Sequence, residues 1–415
     1  MNKRILMVAF HYPPIQGSSG VHRTLSFSKY LAEHGWGTTV LTVNRAALPS
    51  YSDANESMVP AGVKVLRAFA LDTKRHLTFK GKYPGGLAIP DSWVSWVAAA
   101  TVRGLLHIAT QRPDVLYTTY PIASAHIIGY VLHRLTGVPW IADLRDPMAQ
   151  DDYPHDARTW RAFKAIEERI MAHASRVLFA APSALKYYQA RYPEAVSARG
   201  RVLENGYDEA LFVDAERGFT PSSRTCIRLV HAGVLYPQER DPTAFLQAVA
   251  EMRDQGLLRE GEVEFILRGS GHEDLYRPRI AAAQLAGLVK LEGAVGYREA
   301  LVEMLDADAL MLFQSAGCNF QIPAKVYEYF RARRPIVAFT DPGGDTGQVL
   351  AAAGVPWIAQ LDSPSEIKAI LLALLDDIRQ HRRAAFGSDE FARACSREGR
   401  AREFQTIVEQ VAAGH

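Results

Sequence analysis

The sequence has 415 residues, of which 48% are hydrophobic and 22% charged, with 47 Lys and Arg side chains against 45 Asp and Glu. This length is too great for one ordinary core and predicts two domains, and the composition is not that of a disordered chain. A net charge of +2 gives no general electrostatic reason to expect a nucleic-acid partner.

The number of cysteines and the distribution of apolar residues predict the cellular compartment of the protein. Cys226, Cys318 and Cys395 lie far apart and are too few for a disulfide framework, which favours a reducing environment. The opening MNKRILMVAF is too short for a secretory signal, and no segment approaches the roughly 20 apolar residues of a membrane-spanning helix. We therefore expect a cytoplasmic protein whose contact with the inner face of a membrane, if it has one, is peripheral.

Short apolar runs alternate with longer helical patterns along the whole chain. This alternation predicts strand-helix units with a parallel sheet covered on both faces. The predicted strands of the first half are 5–10, 38–43, 63–68, 114–119, 139–144 and 176–181. After a polar stretch at 214–225, the predicted strands of the second half are 227–233, 263–269, 289–295, 307–314, 334–340 and 355–361.

The polar stretch sets the predicted domain boundaries. We predict an N-terminal Rossmann-like domain over 1–212, a second Rossmann-like domain over 213–390, and a C-terminal helix over 391–415 that packs back toward the first. In such α/β sheets ligands lie beyond the carboxyl ends of the strands, so two domains facing across a cleft would hold ligands in the loops that follow strands.

The loop after the first predicted strand consists of small residues: Gly17, Ser18, Ser19 and Gly20. Free backbone N–H groups before a helix favour an anion, so this loop, with Arg23, is a candidate site for a phosphate or an acceptor hydroxyl. It is not a GxGxxG loop, and the second strand ends at Asn44 and Arg45 without the acidic residue of an NAD site, which argues against a dehydrogenase. A plain Gly-rich turn is the structural alternative.

Charged residues gather after the fifth predicted strand of the first half. Asp143, Arg145 and Asp146 need solvent, each other or a ligand, so an ion-pair reading and a functional reading are both open. His126 lies near the start of the preceding helix and is a weaker candidate, since a lone His in a helix is more often packed in the core.

The second half contains three candidate phosphate-binding segments. Gly233 and Arg240 follow its first strand, and a guanidinium can bind a diphosphate in bidentate fashion. In QIPAKVYEY, Lys325 could neutralise phosphate beside the N–H groups of Gln321 and Ile322, and Glu328 could accept both hydroxyls of a ribose. An ion pair between Lys325 and Glu328 is the alternative.

The third segment is the Gly-rich turn DPGGDTGQ at 341–348, which precedes another helix. Its residues Gly344 and Thr346 are predicted to hold part of a diphosphate. The shared position of these loops after strands favours a common phosphate-binding site more than any single loop does.

Taken together, these motifs resemble glycosyltransferase family 4, the GT-B family of retaining, nucleotide-sugar-dependent enzymes, over roughly residues 4 to 360. The resemblance rests on YPPIQGSSGVHR, ADLRDP, ENGYD and HAGVLYPQERDP, and most specifically on IPAKVYEYFRARRPIVA, which places Glu328 as the ribose-binding glutamate. The ADLRDP segment resembles a motif seen in exopolysaccharide and cell-surface members.

Three positions depart from the family pattern. Phe320 stands where the first glutamate of the two-glutamate motif is expected, which bears on donor choice and on activity. Val234 replaces the usual Arg after Gly233, so Arg240 and Lys325 would share the phosphates. No histidine matches the one that many members carry after the fourth strand, which leaves His126 as a substitute candidate.

The resemblance implies transfer from a UDP- or GDP-sugar, with retention, to a glycan, lipid-linked or small-molecule acceptor. Arg240 and Lys325 would stabilise the leaving diphosphate, while Asp146 or His126 would orient the acceptor. No metal and no other cofactor are expected, since the resemblance implies an architecture that does not require a metal. The donor sugar, the acceptor and the oligomeric state stay open.

Two other functions are compatible with the same motifs. One is a GT-B nucleotide-sugar epimerase, which would turn over its donor without an acceptor, and the other is a degenerate member that binds a nucleotide sugar without transfer. The segment 75–106 mixes basic residues with Trp93 and Trp96, which suits either a membrane surface or a loop followed by an ordinary buried helix.

Overall fold

The computed structural model describes residues 3–16, 20–83, 85–151, 153–381 and 389–414. The predicted Gly17, Ser18 and Ser19 lie outside the described residues. Two compact units form: one runs to Glu204 and takes up the chain again from Arg397, and the other is Asn205–Ser396. Among the described residues, none of the helices has the length and apolar character required to cross a membrane.

The first unit is built on a seven-stranded parallel sheet. Its strands are β1 (Arg4–Val8), β2 (Gly37–Val43), β3 (Lys64–Ala68), β4 (Val115–Thr119), β5 (Trp140–Arg145), β6 (Arg176–Phe179) and β7 (Gly200–Val202). Its first helices are α1 (Gly20–Glu33), α2 (Thr73–His76), α3 (Trp96–Thr110), α4 (Ser124–Thr136), α5 (Ala157–His173), α6 (Pro182–Arg191) and α7 (Pro193–Arg199). The strand order is β3-β2-β1-β4-β5-β6-β7.

The second unit repeats this architecture with a six-stranded parallel sheet. Its strands are β8 (Ile227–Ala232), β9 (Val263–Arg268), β10 (Val289–Glu292), β11 (Ala309–Phe313), β12 (Ile336–Phe339) and β13 (Trp357–Ala359). Its helices are α8 (Glu209–Glu216), α9 (Thr243–Asp254), α10 (Glu273–Ala282), α11 (Tyr297–Asp306), α12 (Ala324–Ala332), α13 (Asp345–Ala352), α14 (Pro364–Arg379) and α15 (Asp389–Ala394). The strand order is β10-β9-β8-β11-β12-β13.

The last helix, α16 (Arg397–Ala413), belongs to the first unit. Phe404 stacks on Phe27 of α1 with ring centroids 4.4 Å apart, and its edge meets Tyr117 of β4 at 5.0 Å. Ala401, Phe404 and Val408 are fully buried in the core between α1 and the sheet. This helix therefore completes the hydrophobic core of the first unit.

The boundary between the units lies at Glu204, eight residues before the predicted end of the first domain at 212. The reason is α8, which is fixed to the second unit by ion pairs. Arg331 of α12 donates to Glu209 and to Glu216, each at 2.7 Å. The polar stretch that marked the predicted boundary thus begins inside a helix that already belongs to the second unit.

Both sheets have the strand order of a Rossmann-like fold, with a topological switch point next to the first strand of each unit. In the first unit β1 lies between β2 and β4, and in the second β8 lies between β9 and β11. Helices cross over in opposite directions from such a strand and leave a crevice at its carboxyl end, where ligands bind in this class of sheet. The loops after β1 and β8 are therefore the expected ligand-binding loops.

Candidate functional site

In the second unit, the loop after β8 is shaped around Lys325. Gly233 has φ +132°, and a Cβ atom built on it would lie 2.0 Å from Lys325 Nζ. A side chain at this position would displace the ammonium group. Glycine therefore lets the first turn of α12 bring Lys325 against the backbone at the carboxyl end of β8.

Lys325 is partly buried and has no carboxylate partner. Burial lowers the pKa of Lys325, and the charge of Glu328 acts in the opposite direction. Throughout the described residues, no carboxylate oxygen lies within 4.0 Å of its ammonium nitrogen. The ion pair with Glu328 that the spacing allowed is therefore not formed.

Arg240 supplies a second positive charge at the same place. Its guanidinium donates to Val234 O at 3.2 Å and lies over the Tyr236 ring, 5.4 Å from the centroid. In the described part of the chain it too lacks a carboxylate within ion-pair distance. Two cations without anionic partners create a positive potential that favours an anionic ligand.

His231 lies near these two cations. It is fully buried at the end of β8, with Nδ1 2.9 Å from Met311 O. Burial, followed by the charge of Lys325, lowers the pKa of His231 to about 3. The imidazole is therefore neutral at pH 7 and adds no third charge.

Glu328 is held by a residue distant in sequence. Its side chain is buried, and its Oε1 accepts a hydrogen bond from Tyr297 Oη at 2.5 Å. Tyr297 begins α11, and nothing in the sequence pattern pointed to it. This hydrogen bond fixes the orientation of the Glu328 carboxylate, whose remaining acceptor positions can receive hydrogen bonds from a ligand.

The loop that precedes α12 is held by its own hydrogen bonds. Gln314 Nε2 donates to the carbonyl oxygens of Cys318 and Gln321, each at 2.8 Å. Gln321 N donates to Cys318 O at 3.0 Å. This N–H was predicted to bind a phosphate, but the hydrogen bond within the loop already uses it. Ile322 is buried, and its side chain belongs to the core.

The Gly-rich turn 341–346, which was predicted to hold part of a diphosphate, uses several of its polar groups internally. Gly343 N and Gly344 N donate to Asp341 at 2.9 and 3.1 Å. Thr346 is buried, and its hydroxyl donates to Gln321 O at 3.3 Å. A Cβ atom at Gly344 would fall 2.2 Å from Asn319 Oδ1, so this glycine lets the turn pack against the loop before α12.

A Gly-x-Gly loop after β9 is a feature that the sequence reasoning missed. Gly269 and Gly271 have φ +62° and +71°, and Ser270 between them is fully buried. Leu235 N donates to Ser270 O at 2.9 Å, so this loop lies beside the loop after β8. Two glycines directly after a buried strand were the signal.

In the first unit, Arg23 and Asp143 form a buried ion pair. Arg23 Nε is 2.7 Å from Asp143 Oδ2, which also accepts from Tyr117 Oη at 2.6 Å. Arg23 donates further to the carbonyl oxygens of Leu203 and Glu204. These contacts occupy both charged groups, so the pair joins α1 to the end of the sheet and is not free to bind a ligand.

Arg145 and Gly20 meet at the carboxyl ends of β1 and β5. Arg145 has φ +60° at a bulge of β5 and donates to Tyr120 O at 3.3 Å, so neither of its neighbouring aspartates holds it in an ion pair. A Cβ atom at Gly20 would lie 3.3 Å from Arg145 Nη1 and 2.9 Å from His11 Nδ1. This places the start of α1 against two polar side chains.

His11 is a second residue that the sequence reasoning passed over. It directly follows the loop residue Phe10 after β1, and burial, followed by the charge of Arg145, lowers its pKa to about 4. Burial raises the pKa of Asp146, which Arg145 opposes. A neutral imidazole, a guanidinium and a carboxyl group therefore lie near the switch point of the first sheet.

The structure does not fit a role for His126 in contact with an acceptor. The residue is fully buried between α4 and the sheet, with Nδ1 2.7 Å from Thr118 Oγ1, which in turn accepts from Trp140 Nε1 at 2.8 Å. Burial lowers the pKa of His126 to about 4. Its helix carries it into the core, so the prediction that it faces a ligand is wrong.

Among the described residues, no group of three or more His, Cys, Asp or Glu side chains is arranged so that it could hold a metal ion. The positive charges of the site come from Lys325 and Arg240.

Two family models match the chain. The glycosyl transferase 4-like domain matches residues 19–206, and glycosyl transferases group 1 matches residues 226–377. No curated protein resembles the chain closely enough to count as a match.

Solved structures show the same fold at low sequence identity. Sucrose-phosphate synthase from Thermosynechococcus elongatus is 13% identical with a TM-score of 0.69, and the match covers 100% of both chains. HepE from Anabaena, solved with UDP-glucose, is 14% identical with a TM-score of 0.62, covering 98% of this chain and 99% of HepE. A UDP-forming trehalose-phosphate synthase from Burkholderia xenovorans is 12% identical with a TM-score of 0.64, covering 99% of each chain.

Proposed function

The chain belongs to the family 4 type of GT-B glycosyltransferases, and from that premise we propose that it is a retaining enzyme with a UDP- or GDP-sugar donor. The acceptor is a glycan, a lipid-linked saccharide or a small molecule. The low-identity structures that resemble the chain include one solved with UDP-glucose, which supports a nucleotide-sugar donor of this kind.

The observation that carries the proposal is the pair of cations at the end of β8. Lys325 and Arg240 lie beside a neutral His231, and neither is paired with a carboxylate in the described part of the chain. A diphosphate carries the charge that such a site lacks, and each charge-assisted hydrogen bond contributes about 1.5–3 kcal/mol. Lys325 and Arg240 bind the donor diphosphate and stabilise it as it leaves.

Glu328 is the proposed partner of the donor ribose. A carboxylate accepts hydrogen bonds from both hydroxyls of a ribose, and Tyr297 holds one of its oxygens in place. Gly233 contributes by leaving room for the Lys325 ammonium group beside the backbone.

The first unit supplies the acceptor side in this proposal. Arg145 and Asp146, with the start of α1 at Gly20, orient the acceptor hydroxyl, and His11 adds a neutral hydrogen-bonding group. These groups lie after β1 and β5, at the end of the sheet where ligands of this fold class bind.

Transfer breaks the bond between the anomeric carbon and the phosphate oxygen, and the electron pair stays on the diphosphate. The acceptor oxygen forms the new bond on the same face, and its proton passes to the departing phosphate oxygen. Charge stabilisation by Lys325 and Arg240 is the main contribution of the protein, so no pair of catalytic carboxylates is required. Because these side chains neutralise the diphosphate, we propose that transfer needs no metal ion.

Calorimetric titration with UDP, GDP and ADP tests the donor. We expect one nucleotide to bind, and Glu328→Ala to weaken it at least tenfold. Glu260→Ala is the matched control, because Glu260 is an exposed carboxylate of the same unit outside the loops described above. A folded protein that binds no nucleotide would overturn the transferase function.

The stereochemistry can be measured without the natural acceptor. Slow hydrolysis of the bound donor uses water in place of the acceptor hydroxyl, and proton NMR identifies the first anomer released. The anomer of the donor is the expected product. The opposite anomer would refute retention, and an epimerised nucleotide sugar would assign the chain to the isomerases.

A further inference from the structure

An exposed lobe lies between β3 and α3 in the first unit, formed by residues 73–83 and 85–88. Its two ends are fixed to the body of the unit by hydrogen bonds. Thr73 Oγ1 donates to Leu87 O at 2.6 Å, and Thr73 N donates to Ser92 O at 2.8 Å. Arg75 Nη1 donates to Leu48 O at 2.7 Å and anchors the lobe from the side. The lobe is therefore a defined structure.

A tight hairpin forms the middle of the lobe. Phe79 N donates to Lys82 O at 2.8 Å, and Lys82 N donates to Phe79 O at 3.0 Å. The two residues between them, Lys80 and Gly81, have φ +49° and +75°, as a two-residue hairpin turn requires. The turn places Phe79 in water with 76% of its side chain exposed.

The apolar exposure extends beyond Phe79. Leu77 is 37% exposed and Tyr83 is 40% exposed, on either side of the hairpin. An aromatic side chain held in water by a rigid turn loses the free energy that burial would give it. Exposed apolar groups that lie together and are bordered by polar residues mark an interaction surface.

The charge of the lobe identifies the partner. The run 73–90 contains no Asp or Glu. Its first eleven residues, 73–83, contain four basic side chains: Lys74, Arg75, Lys80 and Lys82. The run lies between Asp72 and Asp91, and its four basic side chains exceed the net charge of +2 of the whole chain. Within the described ranges, none of the three lysines has a carboxylate within 4.0 Å.

We propose that this lobe docks the protein on an anionic lipid surface. Phe79 enters the boundary between headgroups and acyl chains, and Lys74, Lys80 and Lys82 face the lipid phosphates. A short basic segment with an exposed aromatic residue matches both properties of such a surface, its negative potential and its apolar interior. The proposal concerns a surface of the first unit and does not depend on the identity of the donor.

Vesicle co-sedimentation of the full-length protein tests the proposal. We expect binding to vesicles of 70% phosphatidylcholine and 30% phosphatidylglycerol, and at least tenfold weaker binding to phosphatidylcholine alone. Binding is expected to fall when the salt concentration rises from 50 to 500 mM, because the lysine contribution is screened. No binding to the anionic vesicles, or equal binding to both, would overturn the proposal.

Matched variants assign the binding to the lobe. Lys80→Ser with Lys82→Ser is expected to weaken binding by roughly 30-fold, while Lys29→Ser with Lys186→Ser leaves it unchanged. Both pairs are exposed, lie in the first unit and lower the net charge equally. An equal loss for both pairs would show a response to net charge and would refute docking through this lobe.

The aromatic contribution has its own control. Phe79→Ser is expected to weaken binding roughly tenfold, and Leu135→Ser, which changes a side chain 64% exposed on α4, has no effect. Hydrogen exchange in the unaltered protein should show vesicle-dependent protection in 74–83. Protection only outside 74–83 would overturn the proposal in favour of another membrane-binding surface. A protein that binds no vesicles and forms a dimer that Phe79→Ser dissociates would overturn it in favour of contact with a second copy of this chain.

Discussion

Gly233 and Lys325 occupy each other's space: a Cβ atom on the glycine would lie 2.0 Å from the lysine ammonium. The absence of a side chain at the end of β8 is therefore what allows a cation to reach the backbone there. This relationship joins the residue directly after the first strand of the second unit to one of α12, 92 positions later in the chain.

Gly233→Ala is expected to weaken nucleotide binding more than tenfold, because the methyl group displaces Lys325 from the phosphate position. Calorimetry with the nucleotide that binds the unaltered protein measures the effect. Gly256→Ala is the matched control, since Gly256 also has a positive φ, +70°, but has no atom within 4 Å of a built Cβ. Both variants should lose about 1–2 kcal/mol of stability from backbone strain. Equal affinities in the two variants would refute this role of Gly233.

Tyr297→Phe is expected to weaken nucleotide binding about 2–10-fold, because the hydroxyl that orients Glu328 is lost. The fold should survive, since Tyr297 is 42% exposed. In a Glu328→Ala background the same substitution should have almost no further effect. Additive losses in the double variant would show that Tyr297 acts independently of Glu328.

Asp143→Asn is expected to destabilise the first unit by about 3–5 kcal/mol, because the charge of Arg23 would stay buried without its partner. Asp53→Asn is the comparison, since its ion pair with Arg45 is exposed and should contribute less than about 1 kcal/mol. Urea unfolding followed by tryptophan fluorescence measures both, because five of the six tryptophans precede Glu204. Similar losses for the two variants would contradict the structural role of Asp143.

The first unit should lose stability as the pH falls from 7 to 5. Burial lowers the pKa of His126 in the folded state to about 4, below the usual value of 6.5, so the unfolded chain takes up the proton first. The stabilising effect is complete above pH 6.5 and decreases as the pH falls toward 4, by about 2 kcal/mol between pH 7 and 5 for this histidine.

His126→Leu separates this titration from general acid denaturation. The variant loses the hydrogen bond to Thr118 at every pH, but its stability should fall less between pH 7 and pH 5 than that of the unaltered protein. Urea midpoints at the two pH values measure the difference. An unchanged pH dependence would mean that His126 does not titrate as its burial implies.

The fold was accessible from the sequence because long parallel sheets require continuous apolar runs. Twelve predicted runs all coincide with strands, whereas the three-residue β7 was missed, since so short an edge strand has no periodicity of its own. Lys325 and Glu328 could be identified as candidate ligand-binding residues from the sequence because their helix follows a predicted strand. The predicted domain boundary was late because α8 is fixed by Arg331, 115 residues beyond Glu216.

Side-chain partners were harder to predict than loops. Composition could not show that Arg23 would neutralise Asp143, or that Tyr297 would hold Glu328, because both contacts depend on tertiary placement. The amides of the 341–346 turn looked available to phosphate in the sequence, whereas in the structure Asp341 at its start accepts from the N–H groups of Gly343 and Gly344.

The position of α16 has a consequence for biosynthesis. Phe404 fills the core against Phe27, yet it leaves the ribosome after the whole second unit has been made. Domains generally fold in the order of their synthesis. Here the continuous segment Asn205–Ser396 can reach its native state during translation. Part of the apolar face of the N-terminal sheet stays uncovered until the last helix has been synthesised. The part of the chain made first is thus completed last.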